Sequence, residues 1–457
     1  MSAATDAFVT HGLTAQFSDM SPDALTAVKT FLLDSLGVGI AGARTPLTAP
    51  VRRAAKQWGD GAAAHVWGDG AFLASAPTAA FINGFQIHCQ EFDCVHEAAV
   101  VHPMAVILSA VMAEIERRPN TTHGRDLAIS LAVGVDLAAG LGVATQSPIR
   151  FFRPANAGLF GATLAIARLR GFDEMRARDA LGYALAFCAG TMQAHVEGKP
   201  ALPLQIANAA RSAHMAADLA SEGIPGPHDS LEGPFGYLKL FEEEADLCPV
   251  ADTLGKIWRI TEVSHKPFPT GRAAQGGIGL MQKLLAIGVK PGEIEQVTLT
   301  APPIIKRLVG RPIIDRMTPN HARLCFQYVG AVALLKGTVG LDDFSENALN
   351  DPWVSALGNR ITIIDDGSSN PAAFCPQSAT ARLAGGQTAT THIDALYGSP
   401  NDPMTRADHI YKFRSCVTFG FGHQRSDIAE QMINLTDNLE TVSDASQLSR
   451  LAAGMET

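Results

Sequence analysis

What most constrains this chain is a change of hydrophobic period part-way along it. For about the first 265 residues, Ala- and Leu-rich runs with helical spacing are separated by short Gly/Pro punctuation. From Pro267 onward, β-branched segments at 296–300, 360–365, 378–383 and 388–393 alternate with the period of strands, and Gly385-Gly386 supplies a hairpin turn between the last two. A helix is predicted over 321–335 among them. Beyond Asn401-Asp402-Pro403 the stretch 405–451 returns to helical periodicity. A chain of 457 residues is too long for one core. The changes of period are therefore read as domain boundaries: a helical domain from 1–266 that the segment 404–457 can rejoin, and a smaller α+β domain over 267–403. The fold class expected is mainly α.

Helix starts are written into the sequence. Ser21-Pro22-Asp23 offers a capping hydroxyl, a proline at the first helical position and an acid on the positive end, and Leu25, Val28, Leu32 and Leu36 follow as one apolar stripe. Pro103 opens a helix over 104–118, Thr122 precedes one over 125–143, and Asp173 precedes one over 174–189, with Gly171 ending the helix before it. The small residues of 158–165 predict helices in close approach.

Composition excludes several roles. A formal charge of -9 gives no long-range pull toward nucleic acid or a membrane surface, so neither is an expected partner. An anionic substrate would need local positive charge. The seven cysteines form no CxxC pair, which reads as reduced thiols and a cytoplasmic protein. The N-terminal stretch lacks a basic and apolar leader pattern, and Asp136 interrupts the most apolar long run, so no export signal or membrane span is expected.

The densest polar cluster runs Asn83-Gly-Phe-Gln-Ile-His88-Cys-Gln-Glu91-Phe-Asp93-Cys-Val-His96-Glu97, followed by His102-Pro103 at a helix mouth. His and acidic residues at short spacing are the raw material of a zinc site. His88, Asp93, His96 and His102 fit no standard helical ligand pair, however, and no HExxH is present, so neither metal nor cofactor is expected. Acid–base work suits the same residues, because carboxylate and imidazole are the usual proton carriers, and a helix N-terminus disfavours protonated His102. The plainer alternative is a set of caps and satisfied core histidines.

Taken in order, these segments resemble the MmgE/PrpD family. The string NGFQIHCQEFDCVHE…VHPMAVILSAVMAEIE matches at Asn83, Gly84, His88, Asp93, His96, His102 and Pro103. The resemblance continues through FLLDSLGVGIAGA, Gly198-Lys199, LPLQIANAARSAHMAADLASEGIPGP, LEGPFGYLKLF, Lys266-Pro-Phe-Pro-Thr-Gly-Arg272, ARLCFQYVGAVALLKG with Tyr328, and Tyr411-Lys412-Phe413. It implies a large all-helical domain with the α+β domain as a lid, a homodimer, and a small polycarboxylate as substrate. Asp93, His102, Lys199 and Tyr328 are carried over as active-site residues, with His96 as a further candidate base. His88, Arg153, Lys266, Arg272 and Gln275 are the candidate substrate-binding set, the cations among them replacing the hydration of a polycarboxylate.

Departures from the pattern bear on the reaction. Cys94 and Val95 stand where the family often has an aspartate and a threonine. Phe151-Phe152-Arg153-Pro154 lacks the usual histidine before the Gly-x-Phe-Gly-Ala helix, and Gln275 replaces another. Losing two imidazoles removes candidate acids for an oxygen leaving group, while enough groups remain to lift and return a proton at carbon. The expected reaction is metal-free two-base epimerisation α to a carboxylate, in a substrate such as iminodisuccinate, with Lys199 and Asp93 or His96 as the bases and Tyr328 and His102 positioning or donating. The alternatives are a 2-methylcitrate dehydratase or cis-aconitate decarboxylase-type lyase, and a non-catalytic polycarboxylate-binding protein.

Overall fold

The computed structural model describes residues 3–118, 122–370, 373–422 and 425–455. The fold is mainly α, with a smaller α+β part, and the chain separates into two compact units. One comprises 1–89, 93–263 and 406–457; the other comprises 90–92 and 264–405.

In the first unit the helix Pro22–Gly42 starts where its capping signal lies, with Ser21 Oγ accepting from the Ala24 N–H at 3.1 Å. Val28, Leu32 and Leu36 are fully buried, and so is nearly everything from Phe31 to Gly42, because the second half of this helix is enclosed on all sides. The helices Gly124–Val143 and Arg153–Leu169 meet backbone to backbone. A Cβ built on Gly161 would lie 2.3 Å from the Gly134 carbonyl oxygen, so no larger residue fits there without parting the pair. The helix Glu174–Ala186 is capped by Asp173 but ends three residues short of 189. Its chain is drawn away there, with the Ala189 N–H donating to Asn156 Oδ1. The return helix Arg406–Phe421 packs on Pro22–Gly42, where Phe413 fills the groove opened by Gly37 and Lys412 Nζ sits 2.7 Å from buried Asp34. A short ribbon of β1 (Ala64–His65) and β2 (Leu73–Ala74) had no signal in the sequence.

The second unit is built on a four-stranded sheet of β3 (Ile294–Ala301), β4 (Ile361–Asp365), β5 (Gln377–Leu383) and β6 (Thr388–Ile393), in the order β4-β3-β5-β6. β3 runs parallel to β4 and antiparallel to β5, and β5–β6 is a hairpin whose turn glycines, Gly385 and Gly386, both have positive φ. Val297, Leu299 and Ala301, with Ala379 and Ala381, belong to a core shared with the helices Arg272–Ala286 and Phe326–Lys336. Instead of one helix over 321–335, the chain forms Pro319–Arg323 and then Phe326–Lys336. The break has a cause: Cys325 is extended and forms an isolated β-bridge with Gly310.

Candidate active site

The helix Ala76–His88 delivers His88 on its last turn, and His102 is the residue before the helix Pro103–Arg117. With φ −102° and ψ 76°, His102 makes no capping bond of its own, so its ring is available to turn toward Asp93. The loop between the helices is held rigidly. His96 and Val101 exchange backbone hydrogen bonds, with His96 N–H donating to Val101 O at 2.8 Å. Ala99 lies so close to Gly142 that a Cβ there would be 2.4 Å from the Ala99 carbonyl oxygen.

Asp93 is the hub. It is fully buried, and its Oδ2 lies 2.9 Å from His88 Nδ1 and 3.1 Å from His102 Nδ1. His102 Nδ1 is also 3.1 Å from the Cys94 carbonyl oxygen. Both neighbours of that nitrogen are acceptors, so Nδ1 carries the proton in the neutral ring, and Nε2 is left with the lone pair. The two rings meet edge to face at 4.8 Å. His88 is 2% exposed, whereas the His102 side chain is 15% exposed, so His102 is the member of the cluster with an outward-facing edge. An imidazole held in one tautomer by a buried carboxylate is a general base through its far nitrogen, and the same carboxylate stabilises the imidazolium that results.

Two comparisons with known proteins follow this geometry. The MmgE/PrpD N-terminal domain matches residues 7–249 and the MmgE/PrpD C-terminal domain residues 268–438. The chain belongs to the MmgE/PrpD family. Among curated proteins it is similar to cis-aconitate decarboxylase of Mus musculus, 29% identical across 97% of this chain and 92% of the relative. The Homo sapiens cis-aconitate decarboxylase is 27% identical across 98% and 94%, and the cis-aconitate decarboxylase-like protein oryM of Aspergillus oryzae 26% across 96% and 94%. Family and relatives indicate an enzyme of the decarboxylase or dehydratase type.

Around the hub, this MmgE/PrpD chain uses other candidates differently. His96 Nε2 lies 2.9 Å from Glu262 Oε2 while its Nδ1 accepts from the Ala99 N–H, so both ring nitrogens are engaged in bracing the loop. Arg153 is buried with its guanidinium forked onto Glu242 at 2.7 and 2.9 Å, and Tyr237 donates to the same carboxylate. That pair is a brace, and its remaining donors reach the Ser147 and Ala99 carbonyls. Phe152 stands beside buried His88, the ring centroids 6.0 Å apart. Cys94 is neutral: burial, with Asp34 and Asp93 adding, pushes its thiol well above the ordinary range. His88, Asp93 and His102 form a group that could hold a metal ion, their donor atoms lying within 4.8 Å of one another. With both Nδ1–H groups turned onto one carboxylate oxygen, the geometry is that of a hydrogen-bonded proton carrier. Lys199 is exposed, following Gly198, whose left-handed turn closes the short helix Gln193–Glu197.

The remaining candidates belong to the second unit. Lys266 is almost fully buried, with Nζ 3.2 Å from Glu91 Oε2. Arg272 Nη1 donates to the His265 and Tyr397 carbonyls. Gln275 Nε2 donates to the Phe268 and Thr270 carbonyls and to Thr270 Oγ1, while its Oε1 accepts from the Phe268 N–H; this side chain shapes the 268–270 turn. Tyr328 is fully buried in that unit's own core, its hydroxyl donating to the Asp343 carbonyl oxygen at 2.5 Å, and burial raises it far above an ordinary phenol. The structure thus brings His88, Asp93 and His102 together in one unit, puts Lys199 on that unit's surface, and places Lys266, Arg272, Gln275 and Tyr328 in the other. The bracing acids Glu262 and Glu242 escaped the sequence reading because each lies far along the chain from its partner and carries no local motif.

Proposed function

We propose that this enzyme transfers protons at the carbon α to a carboxylate of a small polycarboxylate, and that its reaction is epimerisation, as of iminodisuccinate, without metal or cofactor. The observation that carries the reading is the buried Asp93 carboxylate fixing His102 with Nδ1 protonated and Nε2 basic. In the first step the α C–H proton passes to Nε2 and its electron pair enters an enolate delocalised onto the substrate carboxylate. Positive charge stabilises that enolate, Lys199 being the cation we assign to it, while Lys266 is assigned to binding a substrate carboxylate. In the second step an acid on the opposite face, assigned to Lys199, returns a proton to carbon. Asp93 thereby becomes the group that orients the base, and His102 the base itself. Epimerisation is favoured over dehydration because Phe152 occupies the ground beside His88 and Gln275 is spent on backbone, so neither supplies an acid for a leaving oxygen. The reading carries with it a cytoplasmic homodimer, which light scattering on the purified protein would check.

The relatives favour a second reading, decarboxylation of cis-aconitate, in which the carbanion left by loss of carbon dioxide is protonated by His102 that has taken its Nε2 proton from water beforehand. Proton NMR in deuterium oxide separates the two. With iminodisuccinate, deuterium entering the α position without alkene formation supports epimerisation. Carbon dioxide release from cis-aconitate with no exchange of iminodisuccinate overturns it in favour of the lyase.

A further inference from the structure

At the opposite end of the helix that His102 introduces, about 22 Å along its axis by helical rise, the first unit opens a cleft of about 340 Å³. It is lined by Glu114, Arg117, Arg118, Arg170, Phe172, Arg176 and Ser221. The helices Pro103–Arg117, Arg153–Leu169 and Leu202–Ser221 end here, and Glu174–Ala186 begins here. Arginines near helix C-termini ordinarily complement the carbonyl ends. That accounts for Arg118, which donates to the Leu169 carbonyl at 3.1 Å. Two of the other guanidinium groups are matched by acids: Arg170 forks onto buried Glu114 at 2.9 Å on both arms, and Arg117 donates to Asp218 at 2.8 Å.

Arg176 has no such account. It stands in the first turn of its helix, the positive end, where a cation is disfavoured. It shares the cleft with three further guanidinium groups and, among the described residues, makes no ion pair. Four arginines line this cleft together with Glu114, and Asp218 meets two of them, Arg117 and Arg170, around space large enough for a ligand. Ser221 Oγ accepts from Arg170, which leaves its hydroxyl proton to donate, and Phe172 supplies an apolar wall.

We infer that this cleft is a binding site for a phosphate dianion, free or carried as a monoester on a small metabolite, with Arg176 and Arg118 as its gripping cations and Ser221 as a neutral donor. The site is separate from the Asp93 hub and does not depend on which reaction that hub performs.

Isothermal titration with inorganic phosphate, and separately with glycerol 3-phosphate, tests it on the full-length protein at matched chloride ionic strength. We expect saturable binding of at least one probe, weakened about tenfold in Arg176→Ala and in Arg118→Ala, and kept within about threefold by Arg176→Lys. Both arginines are surface residues, and basal turnover should be unchanged in each variant, which reports that the fold survives. Tighter binding of glycerol 3-phosphate identifies a monoester as the ligand, and equal or weaker binding identifies free phosphate. Absence of saturable binding by either probe, or an affinity unaltered in both alanine variants, overturns the proposal.

Discussion

The two units differ in how their buried charges are paired, the first adding carboxylate–imidazole pairs to cation–carboxylate braces such as Arg153–Glu242 and Lys412–Asp34. In the first, carboxylates are paired with imidazoles: His11 with Asp136, His65 with Glu116, His96 with Glu262, and His88 and His102 with Asp93. In the second, the buried charge on the segment after Ser264 is cationic, with Lys266 on Glu91 and Arg272 on backbone carbonyls. Imidazole and carboxylate move protons near neutral pH, whereas ammonium and guanidinium stay charged and hold anions. Even within the first unit the pairs are not equivalent. Asp136 and Glu116 also accept backbone N–H groups, from Arg259 and His65, and so fasten the chain. Asp93 Oδ2 instead gathers two rings, one of them with an outward edge.

Changes that convert one kind of site into the other sharpen this contrast. The largest effect is expected for Asp93→Asn, which lets His102 adopt the wrong tautomer. Turnover should fall about 10³-fold, or about 4 kcal/mol of barrier, with circular dichroism unchanged. A loss of less than tenfold would make Asp93 one more fastening carboxylate.

Next comes Glu114→Gln, a test of a carboxylate with a purely structural role. Burial pushes the Glu114 carboxyl up, but hydrogen bonds and charge from His214 and Arg170 outweigh it and bring the carboxyl to about 2. A depressed carboxylate stabilises the fold above its unfolded value near 4.5, and that stabilisation is lost as pH falls from there toward 2. Chemical denaturation should show Glu114→Gln less stable by about 3 kcal/mol at pH 7, with a flatter stability profile between those two values.

Lys266→Met tests the cationic unit. KM for the polycarboxylate should rise about tenfold, near 1.4 kcal/mol, with kcat changed far less. A fall confined to kcat would move Lys266 among the proton carriers. The smallest effect is expected for Glu262→Gln, where steady-state turnover should drop less than about threefold, since His96 braces the loop and its partner is partly exposed. A hundredfold drop would return His96 to the candidate bases.

How much could be read in advance depended on whether the signal was local. Ser21 and Asp173 cap the helices their side chains announce, and the alternation at 388–393 is the strand Thr388–Ile393. These features rest on neighbours in sequence. The break at Cys325 was invisible because its cause, the bridge to Gly310, lies 15 positions away. At the site, the crowding of His88, Asp93 and His102 was legible, but which of them is buried was not. Asp93 is fully buried and the outward ring edge belongs to His102, and burial is a property of packing that no spacing encodes. The roles of Arg153 and His96 were hidden for the same reason, since their acids, Glu242 and Glu262, lie 89 and 166 residues away along the chain.

The most direct test is the rate of deuterium entry at the α-carbon of iminodisuccinate, followed by NMR in wild-type protein and in His102→Gln. If His102 Nε2 is the proton carrier, exchange in the variant falls at least about 10²-fold while its fold and melting behaviour are retained. Exchange at the wild-type rate in His102→Gln would contradict the account, because the proton would then be leaving carbon by way of a different group.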